Sequence, residues 1–375
     1  MKELGLYIHI PFCKSKCYYC DFNSYSGKES IQNEYIKCLI EETEKNLPLI
    51  KQYDIKSIYI GGGTPTYLNL DSLKMLLSYL KQFVSADIEY TLEANPGTLS
   101  EDKLKLMKRN GINRLSMGLQ SFDDSLLKKI GRIHKSGDFI HNYNLARGLG
   151  FDNINMDLMF AIPGQSMDSF LNTLNEAIKL KPEHVSCYSL IIEEGTALYE
   201  DYKKGHIKET DEDNDRNMYH LAISKLKSAG YEQYEISNFS LPDFESRHNI
   251  IYWKCNEYLG LGAGAHSFIN GTRFSNILKP EEYIKKINEG HSPRFEYNEL
   301  TLRDRVQEFM FMGLRMNEGV SYDEFHERFK QDMKKVYGDK IKKLINSGLL
   351  KEEGRKISLT EFGRDVSNQV FVEFI

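Results

Sequence analysis

The sequence predicts an α/β protein: a partial barrel, (β/α)6, followed by a smaller and mostly helical C-terminal domain. Two observations predict this fold class. Over the first two-thirds of the chain, short β-rich runs alternate with stretches of helical composition, which is typical of βα units on a parallel sheet. After residue 298 this alternation stops, and three helical segments precede a short hairpin.

Six β-rich runs predict the barrel strands, and all of them precede residue 195. They are "LGLYIHI", "IKSIYIGG", "DIEYTLEAN", "INRLSMGLQ", "DNINMDLMF" and "EHVSCYSLI". A complete βα barrel has eight such units, so we expect an open or partial barrel. The helices between the strands are predicted from segments such as "SIQNEYIKCLIEETEKNL", "DSLKMLLSYLKQFV" and "SMDSFLNTLNEAIKLK".

The second half of the sequence predicts a further helix and a separate C-terminal domain. The acidic start of "KETDEDNDRNMYHLAISKLKSAG" indicates the N-terminus of a solvated helix. After residue 298, three helices, the hairpin "LLKEEGRKISLT" and a last helix "TEFGRDVSNQVFVEF" resemble a winged helix. Its charges are nearly balanced, which favours a packing or lid domain over DNA binding. We therefore predict a barrel at 1–240, a connecting segment at 241–298 and a helical domain at 299–375.

Composition favours a reduced, cytoplasmic protein. Hydrophobic residues make up 41% of the chain, and the net charge of -5 gives no reason to expect nucleic-acid binding. We expect no membrane span, since no apolar run approaches about 20 residues, and no signal peptide before the first cysteine. The six cysteines do not form an even disulfide framework.

Cys13, Cys17 and Cys20 form a C-x3-C-x2-C group directly after the first predicted strand. A zinc site could use them with His9 as the fourth ligand. A redox pair could use Cys17 and Cys20, although that motif is expected at the start of a helix. An iron–sulfur cluster uses thiolates and tolerates a missing ligand when a small molecule binds the last iron. The spacing and the aromatic Tyr19 favour the cluster.

Polar residues and glycines follow most of the predicted strands, where barrels of this kind build their sites. The segment "GGGTPT", from Gly61 to Thr66, is suited to close approach of a ligand. The remaining candidates are Glu93, Gln120, Ser121, Arg132 and Asp157. The glycine-rich "LGLGAGAHSF" is expected to be a loop that closes over a cofactor.

These motifs resemble the radical S-adenosylmethionine superfamily, and within it the coproporphyrinogen III oxidase-like group. The resemblance is carried by "LYIHIPFCKSKCYYCDF", "GGGTPTYL", "LEANPGT", "GLQSFDDSLLKKIGRIH", "MDLMFAIPGQ" and "YSLIIEEGT". It implies a radical-SAM partial barrel with a [4Fe-4S] cluster on Cys13, Cys17 and Cys20, whose fourth iron binds S-adenosylmethionine. Matching positions implicate further residues in cofactor binding: Tyr7, Tyr19, Gly62, Gly63, Thr64, Glu93, Gln120, Arg132 and Asp157. Whether one or two S-adenosylmethionine molecules bind stays open.

Two subfamilies share the motifs: the oxygen-independent coproporphyrinogen III oxidase, with C-x3-C-x2-C-x-C and a longer N-terminal arm, and the HemW haem chaperones. Phe22, in place of a fourth cysteine, and the short stretch before Cys13 favour the chaperones. "HNIIYW", from His248 to Trp253, matches a signature associated with haem binding, which makes His248 the candidate axial ligand.

The resemblance therefore implies a function in haem transfer. The chain is expected to deliver haem to acceptors such as respiratory enzymes, to meet a membrane only peripherally through those acceptors, and to lack coproporphyrinogen oxidase activity. The alternative is the oxidase itself, which decarboxylates propionates to vinyls in haem biosynthesis. The sequence assigns no catalytic residue and predicts no oligomeric state.

Overall fold

The computed structural model describes all residues from 1 to 375. Six parallel strands lie side by side in chain order, which confirms the predicted partial barrel. They are β1 (Lys2–Ile10), β2 (Tyr53–Gly62), β3 (Glu89–Ala94), β4 (Arg114–Gln120), β5 (Ile154–Phe160) and β6 (His184–Ser189). Parallel neighbours require crossover connections, and the helices between the strands supply them.

The connecting helices follow the predicted pattern. They are α1 (Gln32–Ile50), α2 (Leu70–Leu80), α3 (Glu101–Arg109), α4 (Asp124–Lys129), α5 (Ser136–Gly148), α6 (Met167–Leu180), α7 (Ala197–Lys203) and α8 (Glu212–Ser228). The acidic segment does begin a helix, because the Asp211 side chain accepts a hydrogen bond from the Asn214 backbone N–H and so caps α8.

The sheet continues beyond the barrel strands on both sides. β7 (Glu232–Glu235) and β8 (Asn238–Ser240) extend it antiparallel beyond β6. After the short helix α9 (Arg247–Trp253), four strands lie beyond β1: β9 (Tyr258–Leu261), β10 (His266–Ile269), β11 (Thr272–Asn276) and β12 (Arg294–Glu299). Helix α10 (Pro280–Asn288) separates the last two.

The segment "LGLGAGAHSF" is therefore not simply a loop, which corrects the sequence-based expectation. Most of it lies in β9 and β10, and β9 pairs in parallel with β1. The glycine content of the segment predicts a loop and so conceals these strands. Close packing nevertheless requires glycine at Gly260. A Cβ atom at Gly260 would lie 2.1 Å from the His266 carbonyl oxygen.

The C-terminal domain is helical, as predicted, with a small sheet. Its elements are α11 (Leu302–Gly313), β13 (Val320–Ser321), α12 (Tyr322–Phe329), α13 (Met333–Asn346), β14 (Leu350–Glu353), β15 (Lys356–Leu359), α14 (Glu361–Asp365) and α15 (Ser367–Val372). The predicted hairpin is β14–β15, and β13 adds a third strand to it. The predicted last helix is divided at Val366, whose backbone is not helical.

Two separate hydrophobic cores support the molecule. The larger one contains 56 buried residues between Leu4 and Ile287, and the smaller one contains 17 between Val306 and Phe374. Phe274 and Tyr283, from the predicted connecting segment, belong to the larger core. The domain boundaries at 240 and 298 stay predictions. None of the helices is both long and apolar enough to cross a membrane.

Candidate cluster and cofactor site

The cysteine loop lies at the carboxyl end of β1. The Cys13 backbone N–H donates to the Tyr25 carbonyl at 2.9 Å, which folds the loop back on itself. The Cys20 N–H donates to the Cys17 carbonyl at 3.2 Å. All three predicted cysteine ligands line one cavity of about 370 Å³, so the structure brings them together at a single site.

The glycine-rich turn after β2 packs directly against this loop. The Thr64 backbone N–H donates to the Phe12 carbonyl at 2.8 Å, and the Thr64 hydroxyl lies 3.4 Å from the Cys13 sulfur. A Cβ atom at Gly63 would lie 2.8 Å from the Phe12 carbonyl oxygen. Gly62 has a φ of 111°, which favours glycine. These glycines thus hold the cysteine loop in place as well as lining the cavity.

Two partly buried carboxyl groups face the cavity from the barrel. Glu93 accepts hydrogen bonds from the Tyr59 hydroxyl at 2.7 Å and the Gly62 N–H at 3.1 Å. Burial raises the pKa of Glu93 to about 7, and the nearby Asp157 carboxyl adds to the rise. Asp157 accepts from Asn155 at 2.6 Å, and burial raises its pKa too. Asp157 lies within β5 and not at its end.

Arg132 supplies the positive charge of the site. It lies after α4, so it does not end a strand, yet its guanidinium reaches the Asn95 side chain at 3.0 Å and the Gly118 carbonyl. The Nη1 atom of Arg132 lies 3.6 Å from the Cys17 sulfur. Arg132 lines the cavity, where its positive charge suits an anionic group, and its Nε is buried without a hydrogen-bond partner.

The structure adds two residues that sequence reasoning missed. Asn95 orients Arg132, and Tyr188 donates to the Gln120 side chain at 3.1 Å. Both line the cavity together with Tyr19. The alternation of side-chain directions along a strand could have identified both residues. Asn95, for example, lies two residues after Glu93. Gln120 has a φ of 75° at a β-bulge, a backbone conformation that concentrates at functional sites.

The geometry favours the cluster over the other two interpretations of the cysteines. The His9 Nε2 donates to the Asn23 carbonyl at 2.8 Å and its Nδ1 accepts from the Tyr7 hydroxyl at 2.9 Å, so neither nitrogen is free for zinc. Cys17 and Cys20 lie in a turn and do not open a helix. Burial raises the pKa of the Cys20 thiol, so a cation is needed to hold it as thiolate.

The other predicted residues lie outside this cavity. Tyr7 lines a second cavity of about 570 Å³, which shares Phe22, Gly62 and Glu93 with the first. Ser121 follows β4 directly and is buried against α6, where its hydroxyl lies 3.3 Å from the hydroxyl of Thr173.

His248, which the sequence predicts as a candidate axial ligand, lines neither cavity. The ring is 1% exposed, and its nitrogens lie 2.7 Å from the Ser57 hydroxyl and 2.8 Å from the Tyr252 hydroxyl. It stacks on Tyr59 with ring centroids 5.0 Å apart. Burial lowers the pKa of His248 to about 3, so the imidazole is neutral.

Comparisons with known proteins identify the family of this chain. The radical SAM superfamily model matches residues 7–177, and the HemN C-terminal domain model matches residues 300–366. The heme chaperone HemW of Bacillus subtilis is 41% identical, over 98% of this chain and 98% of its own length. The chain belongs to the HemW family. Escherichia coli HemW is 32% identical over 100% of this chain and 99% of its own length.

The HemW family is part of the radical SAM superfamily, which implies a [4Fe-4S] cluster and S-adenosylmethionine. The cavity fits them, with three thiols on one side and buried polar groups on the other. Coproporphyrinogen III oxidase (HemN) of Escherichia coli, described as a radical SAM enzyme, has the same fold: the TM-score is 0.86 at 24% identity, covering 100% of this chain and 90% of that one.

Proposed function

We propose that this chain is a haem chaperone: it binds haem beside its cluster and delivers it to acceptor proteins. The observation that carries the proposal is the second cavity, which directly adjoins the cluster site. Aromatic rings and apolar side chains form much of its wall, including Tyr252, Trp253, Tyr258, Phe268, Leu278 and Met312. Such a wall suits a flat, largely apolar macrocycle.

The first cavity would hold the cluster and the cofactor. Cys13, Cys17 and Cys20 would ligate three irons. The proposed contacts of S-adenosylmethionine are Tyr19, Gly62, Gly63, Thr64, Glu93, Gln120, Arg132 and Asp157, all of which line this cavity. Tyr7 is proposed to act from the second cavity instead, where its hydroxyl fixes the His9 ring.

Exposed apolar side chains at the rim of the second cavity support the proposed transfer of haem. Phe22 and Leu278 are 63% and 53% exposed although both are large and apolar. Exposed apolar groups at a cavity mouth are typical of an interaction site. We propose that haem leaves there for acceptors such as respiratory enzymes, with any membrane contact made through them. The six free cysteines are consistent with a reducing cytoplasm.

Anaerobic cluster reconstitution followed by haem titration tests the proposal. The loaded protein is then mixed with an apo-haem protein, and the absorption spectrum of the acceptor is followed. A parallel sample receives coproporphyrinogen III and S-adenosylmethionine. Stoichiometric haem binding and transfer, with no propionate lost, is the expected result. Formation of protoporphyrinogen would overturn the proposal in favour of the oxidase.

A matched pair of variants separates a specific site from adhesion to apolar surface. Phe22→Asp places a carboxylate at the rim of the second cavity. Phe295→Asp changes an equally exposed phenylalanine on β12, which lines neither cavity. We expect only Phe22→Asp to weaken haem retention and transfer. Equal effects of the two variants would indicate non-specific adhesion.

A further inference from the structure

The second cavity lies where the barrel, the β9–β10 pair and the C-terminal domain meet. Tyr258 on β9 pairs with Phe268 on β10, and Met312 reaches the cavity from α11. The wall also contains Trp253, whose indole Nε1 is buried without a hydrogen-bond partner.

The cavity wall contains several side chains of types that can bind haem iron, and most of them are already engaged. Both nitrogens of His9 are hydrogen-bonded. Burial raises the pKa of the Cys255 thiol to about 12 and also raises the pKa of Tyr258, so either side chain would have to lose a proton against that shift before it bound iron. Tyr7, Tyr252 and Glu93 also line the cavity and are hydrogen-bonded. This leaves two donors that bind iron without losing a proton: the imidazole of His266 and the thioether of Met312, a weak donor.

His266 is an available imidazole. Its residue is exposed, it lines the cavity, and no side-chain hydrogen bond involves its ring. It lies two residues before Phe268 on β10, so both side chains project from the same face of the strand towards the cavity. A neutral imidazole is a common ligand of haem iron.

We propose that the second cavity is the haem site, that His266 is an axial ligand of the iron, and that His248 is a positioning residue. This inference rests on the haem binding proposed above. His248 lies against Tyr252, with ring centroids 4.9 Å apart, and Tyr252 lies against Tyr258 at 4.6 Å. His248 therefore sets the orientation of two aromatic rings of the haem wall without touching the cavity.

The test is haemin titration of the full chain with spectroscopic detection of the ligand. His266→Ala should lose the histidine-ligated absorption and electron paramagnetic resonance signals, and free imidazole should restore them. Its affinity for haemin should fall about tenfold or more, equal to ~1.4 kcal/mol. His291→Ala, an exposed histidine outside both cavities, is the matched control and should behave as wild type.

Two further variants test the role of His248. His248→Gln and Tyr252→Phe disturb the same hydrogen bond from its two ends. Both should keep the histidine-ligated signals while haemin affinity declines. Circular dichroism and iron content of the cluster establish that each variant is folded.

The outcomes separate this inference from the proposed function. Histidine-ligated signals that persist in His266→Ala, or that disappear only in His248→Gln, would overturn the assignment of His266 while leaving haem binding intact. A wild-type chain that binds no haemin would instead overturn the proposed function, and the inference with it.

Discussion

Glu93 is a residue of the candidate cofactor site whose ionisation falls near physiological pH. Burial raises its pKa to about 7, although the Tyr59 hydroxyl and the Gly62 N–H both favour the charged form. The carboxylate form accepts hydrogen bonds from hydroxyl groups more strongly than the protonated form does. Below a pH of about 7 the site therefore contains a weaker hydrogen-bond acceptor.

We predict that S-adenosylmethionine binding strengthens as the pH rises from 6 to 8 and that Glu93→Gln abolishes this dependence. The variant lacks the charged acceptor, so its affinity should be lower by about ten- to a hundredfold, or ~1.5–3 kcal/mol. Equilibrium dialysis with reconstituted protein measures both effects. Glu193→Gln, an exposed glutamate in the same cavity, is the control. An unchanged pH profile in Glu93→Gln would show that another group titrates.

The folded protein should also lose stability as the pH rises through the same range. The pKa of Glu93 is raised above its ordinary value of 4.5, so the folded state binds more protons than the unfolded state between that value and about 7. Unfolding then becomes easier by at most about 1.4 kcal/mol per pH unit. Chemical denaturation of wild type and Glu93→Gln should show a flatter profile for the variant. Parallel profiles would contradict this prediction.

The cysteines divide into two groups by position. Cys13, Cys17 and Cys20 share one loop and one cavity, whereas Cys38 and Cys187 are buried elsewhere and Cys255 lines the second cavity. We predict that serine at any of the first three positions strongly lowers iron content after anaerobic reconstitution. Serine at Cys38 or Cys187 should leave it unchanged. Normal iron content in Cys17→Ser would disprove the ligand assignment.

At the scale of elements, one buried carboxylate ties helix α1 to the β9–β10 turn. Glu42 accepts hydrogen bonds from the Gly262 N–H at 2.8 Å, the Asn276 side chain at 2.7 Å and the Tyr283 hydroxyl at 2.7 Å. These donors come from β11, α10 and the turn that precedes His266. Glu42 thus positions the strand pair that forms one wall of the second cavity.

We predict that Glu42→Ala lowers the free energy of unfolding by ~3 kcal/mol or more, because several buried donors lose their acceptor. Urea denaturation measures the change. Glu44→Ala, on the exposed face of the same helix, should stay within about 0.5 kcal/mol of wild type. Equal stabilities of the two variants would show that water replaces the carboxylate without any loss in the free energy of unfolding.

At the scale of the whole molecule, several polar contacts connect the C-terminal domain to the rest of the chain. Arg315, just after α11, lies 3.5 Å from the Glu235 carboxylate on β7, and its guanidinium covers the Trp253 ring at 4.5 Å. The Asn317 N–H donates to the Tyr234 carbonyl at 2.9 Å. These contacts set the position of the C-terminal domain over the second cavity.

We predict that Arg315→Ala destabilises the protein by about 3–5 kcal/mol, because the Glu235 side chain is 0% exposed and would lose its cation. Thermal unfolding measures the loss. The same variant should weaken haemin binding, since Trp253 lines the second cavity. Arg303→Ala, on an exposed position of α11, should change neither quantity. A stable Arg315→Ala protein would show that the two domains dock through other contacts.

The sequence by itself determined the six βα units, the cysteine loop and most of the first cavity. Each of these depends on local information. Strand and helix periodicity acts over one element, the cysteines lie within eight residues, and the polar groups follow parallel strands whose carboxyl ends meet at one edge. Glu93, Gln120 and Asp157 were therefore brought together as predicted, although Asp157 lies within its strand.

Only the tertiary structure decided which histidine is accessible from the second cavity. His248 belongs to a recognisable motif, but its accessibility depends on Ser57, which is 191 residues away in the chain, and on Tyr252 within the motif itself. His266 lies in a glycine-rich segment that predicts a loop, and its exposure follows from the pairing of β9 with β1. Burial and hydrogen-bond satisfaction arise from packing between distant segments, and no local pattern encodes them.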